Sequence, residues 1–285
     1  MARAEQVAVI IPASNEAAYI GPCLEALLAS DTGGVSMCVV VSANACTDDT
    51  VARARAYEAR FVEAGHGLEV LDAAEAGKPA ALNRAEVSLV NKGMAEVPRI
   101  YLDADVTCDR ALVAQLYTAL SRDVATYATG HLRVAEARSA VTRAYARIWR
   151  RLPFVKGGAV GAGCFAVNAA ARARWDAFPD IISDDTFVRT LFAPDERIET
   201  EAGFDWPMVE GFAALVRVRR RQDAGVREMW TLYPQQMKNE AKAPLSGRKV
   251  AGLALRDPLG FAVYAAVHIA TRVWRKPDGA WSRGR

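Results

Sequence analysis

Asp103-Ala104-Asp105 places two carboxylates two residues apart, directly after the apolar run Ile100-Tyr101-Leu102. Astride a strand terminus, such a pair suits a hard divalent cation, Mn2+ or Mg2+, which takes oxygen ligands and shares them with a diphosphate. The cation would neutralise a departing nucleoside diphosphate. Ser183-Asp184-Asp185-Thr186 supplies a second acidic pair. Adjacent carboxylates ahead of a helix, held partly dry, are pushed upward in pKa, and one of them could deprotonate a hydroxyl. Capping of the following helix by Asp184 would explain the same residues. In Gly77-Lys78-Pro79-Ala80-Ala81-Leu82-Asn83 the glycine allows a tight approach, Lys78 can reach a phosphate, and the helix N-terminus favours an anion. The spacing is not that of a Walker A loop. Pro12-Ala13-Ser14-Asn15-Glu16 can lie along a nucleoside, with Glu16 near ribose hydroxyls; Ser14 or Asn15 also reads as a helix N-cap.

The elements that must carry these residues alternate between strand-like and helix-like segments. Val7 to Ile11 is a β-branched run closed by Pro12, and Ala17 to Ser30 is helical in pattern, with Ile20, Leu24, Leu27 and Leu28 at helical spacing. Cys38 to Val41 is a second strand, and Thr47-Asp48-Asp49 caps a helix from Thr50 to Ala64. Leu68 to Leu71 is a third strand, Lys78 to Val90 a helix, and Arg99 to Leu102 a fourth strand. Asp109 then caps a helix from Arg110 to Ser121. Apolar strands alternating with helices predict an α/β fold with a mostly parallel central sheet covered on both faces, and ligands of such sheets bind at the carboxyl ends of strands. The second half is less regular. It offers a strand at Tyr127 to Val134, a basic helix at Arg138 to Arg151, and a glycine cluster (Gly157, Gly158, Gly161, Gly163) leading into a strand at Cys164 to Val167. Helices follow at Phe187 to Phe192 and Val209 to Arg221, and Pro234, Pro244, Pro258 and Pro277 break the tail into short pieces. His66, His131 and His268 are scattered, and nothing in the sequence selects among Trp149, Trp175 and Trp206 as a surface for a sugar ring.

The chain has 285 residues, 52% of them hydrophobic and 24% charged, which excludes disorder as its main state. Its net charge is only +3, yet the segment from Arg217 to Arg285 carries 15 Lys and Arg against 5 Asp and Glu. This asymmetry suits an anionic partner or a basic surface balancing an acidic body. Five cysteines without CxxC spacing argue against a disulfide framework or a common zinc site and fit a reducing, cytoplasmic location. The longest uncharged stretch near the C-terminus, Pro258 to Thr271, is too short to span a bilayer, which takes ~20 residues. No signal peptide is expected at the start. Apolar residues between 248 and 276 are interleaved with Arg256, Arg272, Arg275 and Lys276, compatible with an interfacial helix on anionic lipid at the inner face of a membrane, or with a helix packed on the domain or on a second subunit.

Five segments together resemble the family 2 inverting glycosyltransferases of GT-A fold. They are Val9-Ile10-Ile11-Pro12-Ala13-Ser14-Asn15-Glu16, Val41 to Thr50, Gly77 to Asn83, Tyr101 to Asp105, and Ser183-Asp184-Asp185. Their order and spacing agree with the family from Val7 to about Gly225. The resemblance implies a GT-A, Rossmann-like domain over 1–228, with a nucleotide-binding half at 1–123 and an acceptor-side half at 124–228. Residues 229–285 then form a basic, partly amphipathic helical extension.

The resemblance also implies a metal-dependent inverting transfer of a hexosyl or hexosaminyl group from a UDP- or GDP-sugar to a hydroxyl of a glycan or lipid-linked acceptor. Asp105 would ligate Mn2+ or Mg2+, and Asp103 would serve the metal and the ribose or sugar side. Pro12, Ala13, Ser14 and Glu16 would hold the nucleoside, with Asn44 near the base. Lys78 and Arg221 would lie by the donor, and Asp185, paired with Asp184, would activate the acceptor. Ser42 and Ala43 stand where many members carry a uracil-reading Asp, so the base stays open between uracil and guanine. Arg221-Gln222-Asp223-Ala224-Gly225 keeps only the Arg and the Gly of the Arg-Trp-x-x-G found in polymerising members, which points to a single transfer. The alternatives are a sugar-phosphate nucleotidyltransferase and a non-catalytic nucleotide-sugar or glycan-binding partner of a membrane assembly. Nucleic-acid binding by the tail would instead show steep salt dependence and no donor turnover.

Overall fold

The structure is a computed structural model that describes residues 5–155, 159–241 and 245–273. Gly157, Gly158, Pro244, Pro277 and residues 274–276 of the expected interfacial segment lie outside the described residues.

The first half alternates as its sequence pattern predicts. In chain order it runs β1 (Gln6–Ala13), α1 (Ile20–Leu28), β2 (Ser36–Asn44), α2 (Thr50–Arg55), α3 (Glu58–Glu63), β3 (Gly67–Ala73), α4 (Lys78–Asn91), β4 (Arg99–Leu102), β5 (Thr107–Cys108) and α5 (Leu112–Leu120). Successive residues of a strand point to opposite faces. Val7, Val9 and Ile11 of β1 accordingly pack with Leu24 and Leu116, while Ala8 and Ile10 pack with Leu82 and Leu89 of α4. A strand covered on both faces is mostly apolar, which is why Val7 to Ile11 and Val39 to Val41 read as unbroken apolar runs.

The second half contains β6 (Tyr127–Val134), α6 (Ala140–Trp149), β7 (Cys164–Val167), α7 (Ala169–Arg172), α8 (Asp184–Thr190), β8 (Arg197–Trp206), α9 (Phe212–Leu232), α10 (Gly247–Arg256) and α11 (Pro258–Val273). All eight strands form one sheet in the order β3-β2-β1-β4-β7-β6-β8-β5. β1 pairs in parallel with β2 and β4, and β2 with β3, whereas β7 runs antiparallel to both β4 and β6. The start of β7 therefore meets the end of β4, with Cys164 opposite Leu102.

Several local expectations are corrected. The helix expected over Thr50 to Ala64 is split in two by a tight turn in which the Tyr57 N–H bonds to the Ala54 carbonyl. Neither Ser14 nor Asn15 caps α1, whose N-cap is Tyr19. Asn15 instead adopts φ 57°, and its Oδ1 accepts the Thr47 N–H at 2.7 Å, tying the loop after β1 to the loop after β2. The side chain that closes the start of α2 is that of Asp48, which accepts from the Thr50 N–H at 3.0 Å and from the Ala17 N–H at 3.1 Å. Asp109 does not cap α5; its carboxylate takes the Arg133 guanidinium and the Gly203 N–H. Residues 197–206, with no element expected, form the long strand β8, and α9 runs on to Leu232, well past Arg221.

Candidate functional site

The carboxyl ends of β1 and β4 and the start of β7 open onto a small cleft. It is lined by Pro12, Lys78, Leu82, Tyr101, Leu102, Asp103, Gly163, Phe165, Asp184 and Asp185. Asp103 follows β4 directly and is anchored by its own N–H, which donates to the Gly163 carbonyl at 2.8 Å. Gly163 has φ +80°, and a β-carbon there would lie 2.8 Å from Trp206 Cδ1 and 3.0 Å from Val106 Cγ2. Only glycine meets both conditions. Asp105 stands two residues further on, between the buried Ala104 and Val106.

Lys78 is the first residue of α4 and follows Gly77, whose φ of 124° turns the chain into the helix. Its ammonium Nζ lies 2.8 Å from Asp103 Oδ1 and 3.0 Å from Asp184 Oδ2. Burial works against its charge, but Asp103, Asp184 and Asp185 outweigh burial and hold the lysine pKa above its ordinary value. One cation thus bridges two acids that are far apart in sequence.

Asp184 and Asp185 form the first turn of α8, with Ser183 as N-cap, so the capping role weighed for Asp184 goes to its neighbour's backbone position. Asp184 is buried, and Oδ2 makes no hydrogen bond beyond the ion pair with Lys78. Burial raises its pKa first, the Lys78 charge opposes this, and Asp185 and Asp103 add to it. Asp185 is half-buried and lines the cleft beside it. The segment is held from behind by α9: the Ile182 N–H donates to Glu228 Oε2 at 2.8 Å, and Gly225 packs against Ile182 and Ser183.

The other expected residues take two places. Pro12 and Ala13 end β1, and Ser14 and Glu16 lie on the loop after it, beside Asn44 at the end of β2; the Glu16 N–H donates to Thr50 Oγ1 at 2.7 Å. They border the strand ends, and of this group Pro12 alone lines the cleft. Arg221 sits on α9 one turn before Gly225, outside the cleft lining. The residues not anticipated are Leu82, Tyr101, Phe165, Gly225 and Glu228. The Tyr101 and Phe165 rings stack 4.7 Å apart, and the Tyr101 hydroxyl donates to buried Glu86. The Tyr101 ring was visible beside Asp103 in the sequence; nothing local marks Glu228.

Among the described residues no group of three or more His, Cys, Asp and Glu side chains is gathered tightly enough to hold a metal by itself. Asp103 and Asp105 supply two carboxylates at the end of β4, the donor chemistry of a Mg2+ or Mn2+ ion that takes one or two carboxylates and completes its shell with phosphate and water; Asp103 lines the cleft and pairs with Lys78, and Asp105 is outside the lining.

The family model described as glycosyl transferase family 2 matches residues 8–176, more than half of the chain. Among solved structures, a mannosyltransferase from Pyrobaculum calidifontis, PcManGT, in complex with GDP-Man and Mn2+, is similar with a TM-score of 0.56 at 19% identity, covering 97% of this chain and 77% of that one. Glucosyl-3-phosphoglycerate synthase from Mycobacterium tuberculosis, in complex with Mn2+, UDP and glucosyl-3-phosphoglycerate, gives 0.54 at 17% identity over 80% and 79% of the two chains. TarS 1-349 from S. aureus, in complex with UDP-GlcNAc, gives 0.51 at 12% identity over 94% and 91%. At these identities the likeness is one of fold. No curated protein matches the chain by sequence. With β1 to β4, the acidic strand end and the Lys78 helix all inside the matched residues, the chain belongs to glycosyl transferase family 2 and has the GT-A fold.

Proposed function

We propose that the protein transfers a hexosyl or hexosaminyl group from a UDP- or GDP-sugar to a hydroxyl of a glycan or lipid-linked acceptor, once per encounter and with inversion. The observation that carries this reading is the convergence of Lys78, Asp103, Asp184 and Asp185, from three separate parts of the chain, on one cleft at the carboxyl ends of parallel strands. The complexes of similarly folded proteins with GDP-Man, UDP-GlcNAc and UDP support a nucleotide-sugar donor.

Asp105 and Asp103 would hold Mn2+ or Mg2+, which when bound offsets charge on the donor's diphosphate. The rest falls to the chain. Pro12, Ala13, Ser14 and Glu16, with Asn44 alongside, line the path for the nucleoside. Lys78 leads α4, so its ammonium and the helix N-terminus offer positive potential to a phosphate. Arg221, on α9 outside the cleft lining, would add a cation for the donor. Of the two acids on α8, Asp184 is committed to Lys78, whereas Asp185 faces the cleft. Asp185 accepts the acceptor hydroxyl proton as the oxygen bonds to the anomeric carbon and the bond from that carbon to the diphosphate breaks. Attack opposite the leaving group inverts the centre. Catalysis then rests on positioning and on fixed charge.

The test is nucleoside diphosphate release from a panel of UDP-, GDP- and dTDP-sugars with Mn2+, by wild type, Asp105→Ala and Asp185→Ala. One donor is turned over; Asp105→Ala abolishes this, and Asp185→Ala lowers acceptor-dependent transfer by about 10²–10⁴-fold. EDTA removes the activity and Mn2+ restores it. Folded protein that binds a donor and turns over none with any glycan or lipid acceptor would favour a non-catalytic binding partner.

A further inference from the structure

The C-terminal helices pack on α6 and α9 and leave an apolar stripe uncovered. α11 lies against α6 and α9, burying Gly260 and Val267, with Tyr264 stacked on Tyr145 at 5.2 Å. Its junction with α10 is fixed by Asp257, whose carboxylate takes Arg147 Nε at 2.6 Å and the Gly260 N–H at 2.8 Å. The opposite side of α11 presents Leu259, Ala262, Ala266, Ile269 and Val273, all exposed, at alternating spacings of three and four that make one continuous stripe. Leu255, near the end of α10, is exposed as well. Leu255 is 82% exposed, Leu259 68%, Ile269 60% and Val273 70%.

The charges around the stripe have one sign. Arg248, Lys249, Arg256 and Arg272 are exposed, while the sole acid between residues 245 and 273, Asp257, is engaged by Arg147 and Arg151. A second copy is a poor occupant. Antiparallel contact centred on Tyr264 would set Arg256 against the partner's Arg272, and parallel contact would set each arginine against its own copy. No helix among the described residues is long and apolar enough to cross a membrane.

We propose that α10 and α11 form a docking face for an anionic lipid surface. The two helices lie in the plane of the headgroups, Leu255 and the stripe of Leu259, Ile269 and Val273 enter the boundary with the acyl chains, and the four cations meet the phosphates. This face is two ring stacks from the cleft: α6 carries both Tyr145 and Trp149, Trp149 stacks on Trp206 at 5.5 Å, and Trp206 packs on Gly163. An acceptor embedded in the same surface is presented to the acceptor side of the cleft. That last point rests on the transferase reading; the docking itself does not.

The test is flotation of the full chain with vesicles of phosphatidylcholine, with and without phosphatidylglycerol, in the absence of donor and metal. The protein floats with the anionic vesicles, and added salt releases it. Leu259→Asp combined with Ile269→Asp lowers partitioning at least tenfold, and Arg256→Gln and Arg272→Gln each lower it about fivefold, from about 1 kcal/mol per cation. Val87→Asp, at an exposed site on α4, leaves it unchanged. Equal partitioning on neutral and anionic vesicles, or none on either, overturns the proposal. So does a dimer in light scattering that the Leu259→Asp/Ile269→Asp variant dissolves. The donor panel reads the transferase chemistry separately, so either reading can fail alone.

Discussion

Gly225 of α9 lies so close behind Ser183 that any side chain there would overlap the serine hydroxyl. A β-carbon would also sit 3.0 Å from Ile182 Cγ2 and 3.1 Å from Ile182 Cβ. The acids of α8 are thus aimed by a helix that begins nearly thirty residues after them. Gly225→Ala is expected to push the segment from Ile182 to Asp185 toward the cleft. The cost is about 1–3 kcal/mol of stability from overpacking, with a loss of transfer rate of at least tenfold. Thermal melting and donor turnover read the two effects. Adding Ser183→Ala should restore part of both, because it removes the overlapped oxygen.

The strand ends were legible in the sequence and their support was not. β1, β2 and β4 carry the apolar runs Val7 to Ile11, Val39 to Val41 and Ile100 to Leu102 because both of their faces are covered, and, as expected, Asp103 and Asp105 follow β4 and Lys78 opens α4. β8 does carry a period-two pattern, Ile198, Thr200, Ala202, Phe204 and Trp206, but Glu199, Glu201 and Asp205 between them give it the composition of a loop. An irregularity in its pairing with β6 near Thr129 and His131 breaks the register further. Glu228 and Gly225 act on α8 across some forty residues of chain, and no local spacing encodes such a contact.

The raised pKa of Asp184 has a definite sign for stability. Burial is its main cause, opposed by Lys78 and reinforced by Asp185 and Asp103. A carboxyl that holds its proton more tightly in the folded chain costs stability as pH rises from the ordinary value of 3.8 through the folded one. Asp184→Asn removes this cost together with an ionic partner of Lys78, so its melting temperature relative to wild type should rise as pH increases from 3.8 toward neutral in buffer with EDTA. That relative gain should vanish as pH falls below 3.8, where both states of the wild type are protonated. Turnover of the donor should fall in the same variant, since Lys78 then loses one of the acids that hold its charge and position.

Asp257 has the opposite sign. Hydrogen bonds from Arg147 and from the Gly260 N–H hold its pKa down at about 2 against an ordinary 3.8. Its stabilising effect is present above 3.8 and is lost as pH falls through about 2. Asp257→Asn should lower the melting temperature at neutral pH, and the gap to wild type should close between those two values. Hydrogen exchange should show the loss concentrated in α11.

Glu86 ties the cleft wall to the body of the fold. It is buried and receives the Tyr101 hydroxyl, with Arg99 Nε at 3.4 Å and Arg172 Nε at 3.3 Å. Glu86→Ala leaves two guanidinium groups without their carboxylate and should cost about 3–5 kcal/mol in urea unfolding. Glu86→Gln should cost less, because the amide oxygen can still accept from Tyr101.

The Lys78–Asp184 bridge and the Ile182–Glu228 bond also set an order of events during synthesis. The strands that carry the acidic end of β4 leave the ribosome early and can begin to pair as soon as they emerge. The wall opposite them cannot close until residue 228 is out, because Gly225 and Glu228 fix the stretch that bears Asp184 and Asp185. A nascent chain halted short of that point would hold the family's strand motifs and still lack a finished cleft.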